Sequence, residues 1–354
     1  MKKTLLLCFI HGFKGGESTF GDDYEFTKHL RDIVAQKLPK VDVRVLVYPK
    51  YETRGDLGEC VSRFRSWFVF STIPGPFSIV VMSLVAGTCR PMLEDKVIDM
   101  EVASGTASPT VDPSVRTILV GHSMGGIVAA ELLIALASEK PIYSEDGIRK
   151  SDGERPAFNA FMFPYVQGVL AFDTPYLGIS PGVIAEGWTW ASSHLEFVGC
   201  LARAEELKKR VGFVVRLHEE LGVGFANLYT RLGKGASSKK ISMAGTVLGK
   251  DRTFCNLPKT MNAGDWIEAV NDEAGDETVA HMTMFEPKEN PGYEKLTHDA
   301  AGLIAQWSRN DWYENSTETT TPERVQSAEV DEKGKGAEKE EEERETTEQI
   351  APNS

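Results

Sequence analysis

The chain has 354 residues, of which 41% are hydrophobic and 9% aromatic, enough to bury a sizeable core in one large domain. Its net charge of −13 is uneven: residues 313–354 hold 13 acidic and 5 basic residues, so the acidity is mostly a property of the tail. Neither part carries the basic footprint that neutralises phosphates, which excludes nucleic acid as the expected partner.

In chain order, Thr4–Ile10 (TLLLCFI) is a continuous apolar run of the kind buried parallel strands show. Preceded by Met1, Lys2 and Lys3 it imitates a signal peptide, but it is short, lacks a small-residue cleavage site and runs straight into His11 and Gly12. A strand is the expectation. Asp23–Leu38 reads as a helix with Phe26, Leu30, Ile33, Val34 and Leu38 on one face, and Val41–Tyr48 as a strand that Pro49 helps to end. Leu57, Cys60, Val61, Phe64 and Trp67 follow helical spacing, and the stripe resumes at Leu93, Val97 and Met100. Between them, 68–92 is an anomalous hydrophobic insert broken by Pro74, Gly75 and Pro76. Three readings compete for it: a lid or membrane-contact loop, a membrane span, or a translated intron.

Thr117–Val120 is a short strand leading into Gly121, His122 and Ser123, and Gly125–Ala137 is a strongly apolar helix. Val166–Phe172 is another buried strand, Ile241–Leu248 a weaker one, and Pro291–Trp307 contains the last helix. Strands alternating with helices imply a mostly parallel sheet covered on both faces. Between them, 176–235 reads as helical and amphipathic, the place of a cap over a pocket. One domain over 1–312 is therefore expected, followed by a disordered acidic tail over 313–354 that lacks the apolar residues to offset its ordering entropy. The five cysteines are scattered with no C-x-x-C pair, so reduced thiols and no metal site are expected.

Gly121-His122-Ser123-Met124-Gly125 matches G-x-S-x-G, the nucleophile elbow. Serine at a tight strand-to-helix turn needs small neighbours, and the following helix presents its N-terminus to developing negative charge. The strand before and the apolar helix after supply that context, so Ser123 is the expected nucleophile. An acyl-transfer site also needs amide donors for the oxyanion; these are expected from Met124 and from Phe13, in the loop after the first strand.

The base should be one of seven histidines. His11 and His122 belong to the motif backbones, His29 to an early helix, and His194 and His218 to the cap region. That leaves His281, in Thr278–Met282 after a short strand-like piece, and His298, inside the last helix; His281 is preferred, because a nucleophile elbow of this type takes its histidine from a loop before the final helix. For the acid, Asp173 ends the strand 166–172 on the same sheet edge as Ser123. Asp251, Asp272 and Asp276 remain alternatives, with Asp276 close to His281 in sequence.

HGFKGG at 11–16, GHSMGG at 121–126 and FDTPYLG at 172–178 together resemble the lipase-like serine esterases of the α/β-hydrolase superfamily, most closely a fungal branch. The resemblance covers about 4–310 except 68–92. Such members commonly read Gly-Thr-Pro-His-x-Gly at the third motif; here Asp173 takes the place of the glycine, where pancreatic-type lipases carry their acid. The resemblance implies an α/β-hydrolase fold with a helical cap and hydrolysis of carboxylic esters, lipid esters among them, through an acyl-enzyme on Ser123. No cofactor is implied. The expected location is cytoplasmic, extending to peripheral membrane contact through 68–92 if that segment is real. A thioesterase or acyltransferase would use the same residues, and a non-catalytic scaffold binding a partner through cap or tail is the alternative of another class.

Overall fold

The computed structural model describes residues 3–12, 15–50, 58–64, 113–138, 165–180, 183, 204–232, 252–259 and 265–316. The insert 68–92, the strand expected at 241–248, Phe13, Asp251, His194 and the tail from 317 onward lie outside the described residues. The described residues belong to one compact unit.

Among the described residues, six strands make one sheet in the order β2-β1-β3-β4-β5-β6, with every neighbouring pair parallel. They are β1 (Thr4–Ile10), β2 (Asp42–Val47), β3 (Val115–His122), β4 (Val166–Phe172), β5 (Gly224–Leu232) and β6 (Trp266–Asn271). Side chains of a strand alternate between faces, and both faces here are covered. Leu5, Leu7 and Phe9 of β1 join one apolar cluster, whereas Cys8 and Ile10 join the other. Helices α1 (Glu25–Lys37) and, later in the chain, α5 (Tyr293–Ser308) cover the first face through Phe26, Leu30, Val34, Leu296, Ala300 and Ile304. Helices α2 (Met124–Ser138) and α3 (Ala204–Leu221) cover the second. Helix α2 is apolar nearly all round, as a helix packed on most sides must be. Cys60, Val61 and Phe64, the first half of the interrupted stripe, are buried in that second cluster.

Three local expectations change. The excursion over 176–235 is not helical throughout: α3 packs Val214 and Leu217 into the core, and β5 lies inside the sheet between β4 and β6. Asn227, Thr230 and Arg231 disguise β5 as polar, but Asn227 and Thr230 are buried with their side chains bonded to the segment after β4. Thr278 and Val279 are not strand-like; they belong to the short helix α4 (Glu277–Met282). The packed chain also runs past Trp312 through α6 (Asp311–Glu314) to Ser316, with Trp312, Tyr313 and Ser316 all buried.

Parallel strands bring their carboxyl ends to one edge, and ligands of open α/β sheets bind in the crevice outside that edge. His11, Ser123 and Asp173 directly follow β1, β3 and β4 there. The sheet order and the strand-turn-helix at Ser123 make this an α/β-hydrolase fold. Among the described residues, no helix is long and apolar enough to cross a membrane.

Candidate active site

Ser123 occupies the turn between β3 and α2 with φ of 56°. For a residue with a Cβ, that left-handed backbone costs about 1–2 kcal/mol. The turn is held by the Ser123 N–H donating to the Phe172 carbonyl at 2.9 Å and the Gly126 N–H donating to the Ser123 carbonyl at 3.2 Å. It is also crowded. A Cβ on Gly125 would stand 2.1 Å from the Ile10 carbonyl oxygen, and one on Gly12 would stand 2.7 Å from the Ser123 Cβ. The glycines of both motifs therefore serve a close approach between the loop after β1 and the elbow.

Asp173 follows β4 in a similar left-handed backbone, φ 45°, and is fully buried. The bend is fixed by the Asp173 N–H donating to the Leu228 carbonyl at 2.9 Å. Asn227 adds a two-point clamp on the next residue. Its Oδ1 accepts from the Thr174 N–H at 3.1 Å and its Nδ2 donates to the Thr174 carbonyl at 2.9 Å.

His281, on α4, meets this carboxylate: its Nδ1 lies 2.8 Å from Asp173 Oδ2, and both side chains are buried. An ionised carboxylate only accepts, so Nδ1 carries the proton and Nε2 is left for proton exchange. Three further donors reach Asp173. The Thr230 N–H donates to Oδ1 at 3.0 Å, the Thr230 hydroxyl to Oδ2 at 2.5 Å, and the Cys255 thiol to Oδ1 at 3.6 Å. The Cys255 thiol stays protonated, because burial and then the Asp173 charge push its pKa well up.

His122 joins the elbow to His281. Its ring stacks on the His281 ring at 4.6 Å, and its Nε2–H donates to the His281 carbonyl at 3.2 Å. Burial first, and then the neighbouring His281, hold His122 well below the usual histidine pKa. It is a neutral spacer packed against the His281 ring.

The other candidates lie elsewhere. His11 ties the loop after β1 to the end of β2, with Nδ1 3.0 Å from the Gly12 carbonyl and Nε2 3.3 Å from the Pro49 carbonyl. Burial leads in lowering its pKa. His29 pairs with the Tyr293 hydroxyl, His218 with the Val223 carbonyl, and His298 is exposed. Asp272 is exposed, and Asp276 caps α4 by accepting from the Val279 N–H at 2.8 Å. Met124 is the first residue of α2 and is buried against the elbow. Thr230, Asn227, Phe254 and Cys255 were not singled out from the sequence. The only available signal was a buried-strand pattern interrupted by Asn227 and Thr230.

No family model and no curated protein matches the chain. Solved structures similar to it include the mature Bacillus licheniformis lipase BlEst2, at 15% identity over 84% of this chain and 92% of that one, TM-score 0.37. Phospholipase PlaB from Legionella pneumophila is 9% identical over 86% of this chain and 62% of that one, TM-score 0.37. The NocB thioesterase domain, in covalent complex with a fluorophosphonate nocardicin G analog, is 15% identical over 86% and 94%, TM-score 0.29.

Proposed function

We propose that this protein is a serine hydrolase of carboxylic esters, of the lipase-like serine esterase kind and from its fungal branch, with lipid esters among its candidate substrates. The observation that carries the reading is the buried 2.8 Å hydrogen bond between His281 Nδ1 and Asp173, beside a serine in a left-handed elbow.

Ser123 Oγ attacks the acyl carbon while its proton passes to His281 Nε2. The amides of Met124 and Phe13 receive the oxyanion. As the tetrahedral intermediate collapses, the C–O bond to the leaving group breaks and the alkoxide takes the proton from His281, leaving as the alcohol. Water then attacks the acyl-Ser123 ester, again giving its proton to His281, and the acid departs as Ser123 is reprotonated. Asp173 holds the imidazole in the right tautomer and balances the imidazolium charge. The chemistry calls on no metal or organic cofactor, and the cytoplasm, extending to a membrane surface, is the proposed location.

The test is labelling of the folded full chain by a fluorophosphonate probe beside Ser123→Ala and Asp173→Asn. Labelling that depends on Ser123 is expected. Folded protein that does not label at Ser123 would leave a non-catalytic scaffold. An ester panel of graded acyl length, run with and without 68–92, then defines the substrate.

A further inference from the structure

No motif marks the segment Arg252–Asn256, yet it touches both partners of the His281–Asp173 pair. It is stitched in on two sides. The Leu232 N–H donates to the Arg252 carbonyl at 3.0 Å and the Ser180 N–H to the Phe254 carbonyl at 2.8 Å. Antiparallel bridges pair Thr253 with Arg231 and Cys255 with Ile179. Asn256 closes the far end, its Nδ2 donating to the carbonyls of Leu177 at 3.0 Å and Ile179 at 3.2 Å. The segment is therefore a strap fixed between the end of β5 and the turn after Asp173.

Three side chains reach from this strap to the site. The Phe254 ring stacks on the His281 imidazole, with centroids 3.6 Å apart and planes 12° from parallel. The Cys255 thiol donates to Asp173 Oδ1 at 3.6 Å. Arg252 grips the helix that carries His281: its Nε donates to Glu277 Oε1 at 2.9 Å and its Nη2 to Oε2 at 3.2 Å. A two-point fork fixes direction as well as distance.

We infer that the strap positions His281 against Asp173, with Phe254 setting the plane of the imidazole and Arg252 the placement of α4. The inference rests on the hydrolase reading above. A hydrogen bond at one ring nitrogen restrains that atom, but the ring can still tilt about it. A flat partner on the ring face resists the tilt, and so fixes the plane in which Nε2 lies. Phe254 and Arg252 are positioning residues: Phe254 acts through His281 and Arg252 through the helix that carries it. Their loss should act on the chemical step, because a misplacement of about 1 Å costs about 100-fold in rate.

The experiment compares the full chain with Phe254→Leu, Phe254→Tyr and Arg252→Met. It reads the fluorophosphonate labelling rate, kcat and KM on a short-chain p-nitrophenyl ester, the melting temperature, and the low-field proton signal of the His281 Nδ1–H. Phe254→Leu should lower labelling and kcat by about 10- to 100-fold with KM within about two-fold. Phe254→Tyr, which keeps a flat ring, should recover to within about three-fold of the parent. Arg252→Met should fall in between, and in both impaired variants the low-field signal should broaden or vanish. Parent-like rates and signal in folded Phe254→Leu and Arg252→Met would overturn the inference, as would a loss confined to melting temperature. If Phe254→Leu does not fold, Arg252→Met decides alone, since its side chain is partly exposed at the rim. If the parent itself fails to label, the hydrolase reading falls. The strap is then judged by the low-field signal: loss in the variants supports it, and retention overturns it.

Discussion

The two edges of the sheet are built on opposite terms. At the amino edge, Trp307 lies over Gly168 and Gly224, which face each other on β4 and β5; a Cβ on Gly224 would stand 2.1 Å from the indole. Trp312, on α6, is buried, its indole N–H donating to the Pro113 carbonyl, with Lys3 5.6 Å and Arg116 5.0 Å from its ring centroid. Ser316 fastens the last turn, accepting from the Lys3 N–H at 3.0 Å and donating to the Lys40 carbonyl at 2.7 Å. The carboxyl edge instead holds the buried side chains of His11, His122, His281 and Asp173. All four non-glycine residues with positive φ among those described follow the carboxyl ends of β1, β3 and β4. Close packing of Trp307 on two glycines marks one edge, and left-handed backbone beside a buried histidine–carboxylate pair marks the other, the pattern expected when a rigid scaffold carries a reactive site.

Substitutions at the two edges should therefore have different readouts. The largest effect is expected from Ser123→Ala, which should lower ester turnover by at least about 10⁴-fold without lowering stability. Relief of little more than steric crowding, with turnover retained, would remove the carboxyl edge from catalysis. Asp173→Asn should cost about 10⁴-fold in kcat by reversing the hydrogen-bond pattern that His281 Nδ1 requires. Near-normal turnover would move the acid elsewhere. Thr230→Val keeps the backbone N–H but deletes the hydroxyl on Asp173 Oδ2; loss of one bond to a charged group, about 1.5–3 kcal/mol, should appear as about a 10- to 100-fold fall in kcat.

Gly224→Ala, at the opposite edge, should cost about 1–3 kcal/mol of stability by denaturant titration, through overpacking against Trp307, with kcat per folded molecule unchanged. A kcat loss as large as its stability loss would erase the contrast between the edges. The smallest effect is a pH slope. His122 is held well below its ordinary 6.5 by burial first, so below that pH the unfolded chain takes up a proton that the folded chain refuses. Its contribution is present above about pH 6.5 and falls by up to about 1.4 kcal/mol per pH unit below it. Denaturant titrations at about pH 7.5 and 5.5 should show a shallower pH dependence in His122→Gln than in the parent.

Much of the sheet could be read in advance, because apolar runs such as Thr4–Ile10 and Val166–Phe172 satisfy a local rule: both faces of a parallel strand must be buried. The elbow was equally legible, since small residues around Ser123 answer a crowding that is local in the chain. β5 and β6 were not. β5 carries Asn227 and Thr230, whose polarity makes sense only once Asp173 and Thr174 lie against them. β6, at the sheet edge, is only partly buried. Short α4 was read as strand-like because Thr278 and Val279 have strand propensity, which the Asp276 cap and the packing of Ala280 and His281 override.

What residue order alone could specify was the set of candidates: a serine between glycines at a strand end, two residues able to donate to an oxyanion, a histidine before the last helix and four carboxylates. Which carboxylate meets the histidine depends on residues 108 positions apart being brought to 2.8 Å, and on Asp276 being engaged as a cap. The stacking of Phe254 and His122 on His281, and the grip of Arg252 on Glu277, are likewise long-range. Spacing reports contacts within a turn or along a strand; contacts between separate elements exist only after the sheet has brought its carboxyl ends together.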